Sequence, residues 1–580
     1  MNPCACLGVP ALLAAAVALA QPTAPERPSG WTSKQAVSAK REMIATANPL
    51  ATDAGYRILQ QGGSAADAAV AAQLVLNLVE PQSSGIGGGA FILHHAGRTG
   101  KLAAYDGRET APAAATPERF LNKAGAPLEF IDAVVGGRSV GVPGTLRVLE
   151  LAHRRHGRLP WATLFAPAIG LAEHGFPVSA RLHGALAAEK VLARDPVANA
   201  YFYQTGGQPH PVGTLLKNPE FAATLKRIAS AGPGAFYTGD IARDIVAKIR
   251  SHPTNPGDMT ETDLANYKAK ERAPVCGPYR IYRVCGMPLP SSGGMTVLQM
   301  LGMLERFDLS RLEPTSFYAV HLFAEAGSLG YADRGRYMAD PDFVPPPAGL
   351  LNADYLRMRA QLIRPDRALG TAAPGDPAAT PDRQKVAWAN DASLEFPSTS
   401  HLSIVDRYGN ALAMTTTIED GFGSRQMVRG FLLNNELTDF SLVPAEGGKP
   451  VANRVEAGKR PRSSMAPTIV YDRAGRVHAV VGSPGGSAII NYVAKTLIGM
   501  LDWKLDPQQA IDLPNVGSRN FGFVELEMDT AAAALAPKLR ALGHDVQVLS
   551  HTSGVQAIAR TSTGWAGGAD PRREGTVLGD

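Results

Sequence analysis

Charge is scarce in this chain. Asp, Glu, Lys and Arg make up 19% of its 580 residues, against a usual quarter, while 45% of the residues are hydrophobic. A disordered chain or a long coiled coil requires the opposite balance, so a packed globular protein remains. The net charge of +5 comes from scattered residues. With no Lys/Arg run interleaved with aromatics, nucleic acid is not an expected partner. Long hydrophobic runs are missing too: Leu7 to Ala20 falls short of the ~18 apolar residues that cross a bilayer, and no later stretch reaches that length. Cysteine is rare, with four in all.

The length itself exceeds one ordinary core of about 100 to 200 residues, which calls for several domains or one large layered fold. Glycine (60) and proline (44) are plentiful, which predicts many tight turns and ordered loops of the kind that carry sites. At the start, Ala18-Leu19-Ala20 ahead of Gln21 has the small-x-small form that a signal peptidase cuts. Residues 1–20 are read as a signal peptide, although no Lys or Arg precedes the apolar run, and the mature protein as periplasmic or secreted, with no membrane span. Cys4 and Cys6 leave with that segment. Cys276 and Cys285 flank a short hairpin around Tyr279-Arg280-Ile281-Tyr282, where an oxidising compartment can join them; two unpaired thiols in adjacent strands is the other reading.

Thr52 to Gln61, a Gly62-Gly63 break and Ser64 to Leu78 read as two helices, the second capped by Ser64 and Asp67 and apolar all round, hence buried. Ala90 to His94 and Leu102 to Tyr105 read as strands, and helical patterns dominate from Leu146 to about Lys270, broken at Gly157, Gly175 and Pro253. Arg364 to Ser398 is rich in Ala, Pro and Asp, the composition of a mobile linker. Beyond it, strands are expected at His401 to Asp406, Ala411 to Ile418, Gly430 to Leu433, Pro467 to Tyr471 and Val477 to Val481, forming one antiparallel sheet under a helix at Ala488 to Leu501. No repeat of 20 to 50 residues is present. The pattern suggests a layered α+β core.

Several short motifs fail their context tests. Gly85-Ile86-Gly87-Gly88-Gly89-Ala90 fits a dinucleotide fingerprint, but no buried strand precedes it and Phe91 to His94 reads as strand where a helix should begin. Closely approaching backbone is the better reading. Gly137-Arg138-Ser139-Val140-Gly141 matches a nucleophile elbow, with His401, His478 and His544 as downstream bases, yet it lacks a convincing elbow strand. A turn is favoured over a serine triad. His153 with His156, or His94 with His95, has no carboxylate or thiol cluster at ligand spacing, so no metal is expected.

The informative stretch is Pro397-Ser398-Thr399-Ser400-His401-Leu402. A threonine opens a strand just after a loose segment, where its hydroxyl can attack the preceding carbonyl. Thr417 lies one hairpin away, and Gly482-Ser483-Pro484-Gly485-Gly486 ends a strand and opens a helix. Backbone N–H groups at such a junction carry partial positive charge, as an oxyanion requires.

Thr399-Ser400-His401, Leu432 to Ser441, Lys459 to Pro467 and Gly482 to Ser487 resemble the corresponding strings of γ-glutamyltranspeptidases, as do Asp106-Gly107-Arg108-Glu109, Pro288 to Gly294 and Asp570-Pro571-Arg572. The likeness runs in one order from about residue 42 to the C-terminus. It implies an N-terminal nucleophile hydrolase, an αββα sandwich made as a precursor that cuts itself between Ser398 and Thr399. Residues 21–398 would then be the large chain, with a linker at about 364–398, and 399–580 the small one. By the same resemblance, Thr399 is the nucleophile, its freed amine the base, Thr417 its support, and Gly485 and Gly486 the oxyanion donors. Arg108, Ser463 and Ser464 map to ligands of the γ-glutamyl α-carboxylate, and Glu436 and Asp439 to ligands of its ammonium. Glu419 stands where Asn is usual, Gly107 where Phe commonly precedes the arginine, and Leu442 to Gly458 is shorter than many family lids. The implied activity is transfer or hydrolysis of γ-glutamyl amides such as glutathione, to water or to an amino acid or peptide, by a pair of chains with no cofactor. The alternatives are a cephalosporin or glutaryl acylase of the same fold and a non-catalytic periplasmic binding protein.

Overall fold

A computed structural model describes residues 29–377, 388–391, 393, 395 and 398–580. The expected signal segment, with Cys4 and Cys6, and much of the second half of the expected linker lie outside the described residues. Two seven-stranded antiparallel sheets form the centre. In chain order their strands are β1 (Val37–Ala39), β2 (Met43–Thr46), β3 (Gly89–Ala96), β4 (Lys101–Gly107), β5 (Lys270–Arg272), β6 (Val275–Tyr279), β7 (Tyr282–Gly286), β8 (Thr399–Val405), β9 (Ala411–Thr417), β10 (Thr468–Tyr471), β11 (Val477–Gly482), β12 (Gln556–Arg560), β13 (Trp565–Ala569) and β14 (Thr576–Gly579). The first sheet runs β14-β2-β8-β9-β3-β4-β5 and the second β1-β13-β12-β11-β10-β7-β6.

The two sheets face each other, β8 and β9 lying over β11 and β12. Alternation decides which side chain goes where. Leu402 and Ile404 join the apolar layer under the outer helices, whereas Val405, Ala411 and Ala413 join the layer shared with the second sheet. Helices α1 (Pro49–Gln60), α2 (Ala65–Val79) and α3 (Thr145–His156) cover the first sheet. Helix α4 (Gly293–Leu304), with α5 (Phe317–Tyr337) packed against it, and α6 (Ile489–Leu501) and α7 (Pro507–Asp512) cover the second. The result is the four-layer αββα sandwich. Ser64 and Asp67 form the expected reciprocal cap on α2, and every residue of that helix is buried. No helix among the described residues is long and apolar enough to cross a membrane.

One expectation is corrected. The strands after residue 398 do not share a sheet: β8 and β9 belong to the first, β10 and β11 to the second, and Phe431–Leu432 pairs with Met427–Val428 in a separate ribbon. A period-2 pattern reports which faces are buried, not which sheet a strand joins. Cys276 and Cys285 sit opposite each other on β6 and β7 and are joined in a disulfide. The start of the expected linker is irregular chain tied to later parts of the sequence: Ala368 N donates to Leu542 O (2.7 Å) and Ala372 N to Asn520 Oδ1 (2.7 Å).

Candidate active site

Thr399 opens β8 directly opposite Thr417, the last residue of β9. Their hydroxyls therefore meet, Thr399 Oγ1 donating to Thr417 Oγ1 at 3.4 Å. Thr417 Oγ1 in turn donates to the carbonyl oxygen of Ser398 (2.9 Å) and accepts from Glu419 N–H (2.8 Å). The carbonyl one bond ahead of the threonine is thus polarised by a fixed hydroxyl. The neighbouring glycine run makes room for this: a Cβ on Gly88 would lie 2.0 Å from the Thr417 carbonyl oxygen. Close backbone approach, rather than a phosphate, explains those glycines.

One pocket is lined by Thr399, Thr417, Gly486, Arg108, Glu419, Glu436, Asp439, Ser463 and Ser464, together with Glu395, Met465 and Ile489. Arg108 follows β4 and is fully buried. Its Nη1 pairs with Glu436, its Nη2 with Asp439 and with Arg462 O (2.8 Å), and its Nε with Pro461 O (3.1 Å). Arg460 Nη1 and Tyr267 Oη both donate to Arg108 O, at 2.6 and 2.7 Å, so the arginine is fixed even with Gly107 before it. Glu436 Oε2 and Asp439 Oδ1 are buried and accept from no donor among the described residues.

This is a crowd of acids. Burial, with Asp439, Asp420 and Glu436 close by, holds the Glu419 carboxyl well above the usual range. Burial also raises Glu436 and Asp439 well above it, against the pull of Arg108. Glu109, behind them, is pushed up to about 7 by burial, again opposed by Arg108. A bound cation would relieve every one of these groups.

Ser463 and Ser464 are cradled by the Pro288 to Gly294 string, Ser292 Oγ donating to Ser463 O at 2.7 Å. Ser464 Oγ donates to Glu395 Oε2 (2.6 Å) and accepts from Arg334 Nη2 (2.8 Å), while Arg334 also pairs with Glu395. Gly485 and Gly486 lie between β11 and α6, both at positive φ (135° and 54°). A Cβ on Gly485 would meet the Tyr492 ring at 2.5 Å, so only glycine gives this turn its shape. Their N–H groups stand at the N-terminal end of α6, the positive end of the helix.

The weaker motifs are not brought here. Ser139 Oγ donates to Val134 O (2.5 Å) and Gly136 O (3.0 Å), as a turn residue does. His401 lies between the sheets, bonded to Thr415 Oγ1 (2.8 Å) and Ser403 Oγ (3.1 Å), and burial alone lowers it to about 3. His94 stacks on His156 at 3.6 Å. The residues 442–458 carry a small exposed ribbon, Ala445–Glu446 with Lys449–Pro450. Sequence reading missed Arg334, Arg462, Glu109 and Glu395. Arg462 and Glu109 stood inside strings already singled out; Arg334 sits on α5, far from any of them in sequence.

A profile of the family described as Gamma-glutamyltranspeptidase matches residues 51–580. The Glutathione hydrolase proenzyme of Bacillus subtilis (strain 168) is 38% identical over 559 residues, spanning 94% of this chain and 92% of its own. The Acylase ACY 1 proenzyme of Pseudomonas sp. (strain SE83) is 35% identical over 556 residues, 94% of each chain. Among solved structures, cephalosporin acylase from Bacillus halodurans aligns with a TM-score of 0.81 at 28% identity, covering 95% of this chain and 97% of its own.

Proposed function

Because the chain belongs to the gamma-glutamyltranspeptidase family and has the sandwich of an N-terminal nucleophile hydrolase, we propose that it is an exported γ-glutamyltransferase and glutathione hydrolase that activates itself. In the first step Thr399 Oγ1 adds to the Ser398 carbonyl carbon, and negative charge gathers on the oxygen that Thr417 already holds. The C–N bond breaks, the hydroxyl proton passes to the departing nitrogen, and an ester joins Ser398 to Thr399 Oγ1. Water hydrolyses the ester, leaving a carboxylate on Ser398 and a free amine on Thr399.

That amine, with an ordinary pKa of about 7.7 to 8.0, is partly neutral near physiological pH and serves as base for its own hydroxyl. Thr399 attacks the γ-carbonyl, the N–H groups of Gly485 and Gly486 receive the oxyanion, and the amine returns the proton to the leaving nitrogen. Water or an amino acid or peptide amine then takes the γ-glutamyl group. The α-ammonium of the substrate meets Glu419, Glu436 and Asp439, where a positive charge is most needed; Arg108, Ser463 and Ser464 serve the α-carboxylate. The observation that carries this reading is the Thr399 hydroxyl beside Thr417, whose own hydroxyl holds the Ser398 carbonyl, at the rim of an acid-rich pocket.

The test is intact mass of wild type beside Thr399→Ala, followed by hydrolysis of γ-glutamyl and glutaryl anilides. Wild type is expected as two chains with the smaller starting at Thr399, the variant as one. A preference for the γ-glutamyl anilide supports the transpeptidase reading. Equal rates on both would favour the acylase reading, to which the acylase relatives give standing. A single wild-type chain that binds glutamate would favour a binding protein.

A further inference from the structure

Four residues ahead of the scissile bond, Glu395 turns its carboxylate into the pocket. One oxygen pairs with Arg334 and the other accepts from Ser464 Oγ at 2.6 Å. Arg334 is itself held in place: its Nε donates to Ser292 Oγ (2.8 Å) and its Nη2 to Ser464 Oγ (2.8 Å). The hydroxyl and the guanidinium together make a two-pronged carboxylate site. The backbone leading there is anchored as well, since Ala389 N–H donates to Pro450 O (2.9 Å) and Asp391 pairs with Arg462 (2.9 Å) and accepts from Asn453 (2.9 Å).

Arg108 cannot play the same part alone. Its fork is engaged by Glu436, Asp439 and two backbone carbonyls. Arg334 differs, because its carboxylate partner belongs to the segment that ends at the cut. Self-cleavage would free that partner to leave, and a buried guanidinium without a counter-ion is costly.

We propose that Arg334 and Ser464 form a carboxylate-binding site that Glu395 fills in the uncleaved chain and that the α-carboxylate of the substrate fills afterwards. This rests on the γ-glutamyl reading and adds two residues to it. Arg334 is a specificity ligand contributed by the large chain, and Glu395 is a built-in stand-in that keeps the pocket closed until Thr399 is free. Charge supports the exchange. Burial alone would raise Glu395, but Arg334 and Arg462 more than offset it and keep it ionised, as a substrate α-carboxylate would be. Glu395 and Asp439 line the same pocket, and the Glu395 charge adds to the burial that raises Asp439.

The test uses two anilides, γ-glutamyl and 4-aminobutyryl, which differ only by the α-carboxylate. In Arg334→Lys the ratio of kcat/KM for the first over the second is expected to fall about 10- to 100-fold. A merely structural defect lowers both alike, and an unchanged ratio overturns the assignment of Arg334. A second measurement needs neither that variant nor turnover: thermal stabilisation by L-glutamate of processed wild type and of uncleaved Thr399→Ala. Stabilisation of the processed form alone is expected; equal stabilisation of the precursor means Glu395 does not fill the site. A processed wild type inactive on both anilides and not stabilised by glutamate would instead refute the γ-glutamyl reading, and the assignment of Arg334 and Glu395 with it.

Discussion

Replacing Thr417 by alanine tests the activation step at its most exposed point. The hydroxyl does three things at once: it donates to Ser398 O at 2.9 Å, accepts from Glu419 N–H at 2.8 Å and meets the Thr399 hydroxyl at 3.4 Å. Loss of one preorganised donor to a developing oxyanion costs about 2.7 to 4 kcal/mol in the barrier, or roughly 100- to 1,000-fold in rate. Cleavage of Thr417→Ala should therefore slow by about that factor. The buried Glu419 N–H also loses its acceptor, which lowers stability by about 1 to 3 kcal/mol. Thr417→Ser keeps the donor and should recover most of the rate, at some loss from a freer rotamer. The assay is a time course of intact mass after purification, read as the fraction of chain cut ahead of Thr399, beside a melting curve. If Thr417→Ala cuts itself as fast as wild type, the polarised carbonyl plays no part in activation, and the reasoning fails.

Three further outcomes are expected. Burial pushes the Glu325 carboxyl on α5 up to about 7 from an ordinary 4.5. The folded state then holds a proton the unfolded state releases, so this group's stabilisation is full below about 4.5 and is lost as pH rises through 7. Glu325→Gln, always neutral, should gain on wild type between about pH 5 and 8, by at most ~3 kcal/mol, seen as a widening gap in Tm; a constant gap would show that Glu325 does not titrate in that range. Replacing Cys276 and Cys285 by serine opens a cross-link spanning 9 residues and should cost about 2 to 3 kcal/mol, with reductant lowering the Tm of wild type but not of the variant. Glu419→Gln removes one acid from the group proposed to receive the substrate ammonium, and its preference for γ-glutamyl over glutaryl anilide should drop about tenfold; an unaltered preference would place Glu419 outside recognition.

Local features of the fold were legible because short-range chemistry fixes them. The Ser64/Asp67 cap, the break at Gly62-Gly63 and the hairpin joining β8 to β9 all appear where the residues place them. The assignment of strands to sheets was not legible, since β9 and β10 are both buried along their whole length and no local signal separates their partners. The site divides in the same way. Thr399 and Thr417 face each other because a tight hairpin sets their register. Arg334 reaches Ser464 only through the packing of α5 against α4 and the seating of Ser463–Ser464 on the Pro288 to Gly294 turn. Glu395 looked like part of a loose linker because the stretch from Arg364 to Ser398 is rich in alanine, proline and aspartate, and composition does not report where a single carboxylate will dock.

The order of strands carries a last consequence. In the first sheet β8 lies between β2 and β9, β9 lies against β3, and β14 closes the edge beside β2; in the second, β10 borders β7 and β13 borders β1. A cut ahead of Thr399 thus severs the thread without parting the cloth, because each sheet contains strands from both sides of the cut, paired to one another. Neither product owns a complete sheet, so neither is expected to be stable by itself. Dilution should not separate them, fragments expressed from two genes should fail to assemble without a shared folding step, and unfolding after activation should be hard to reverse, since rejoining becomes a bimolecular event. The molecule would fold once, as one chain, and spend its working life in a shape its two pieces could not readily regain.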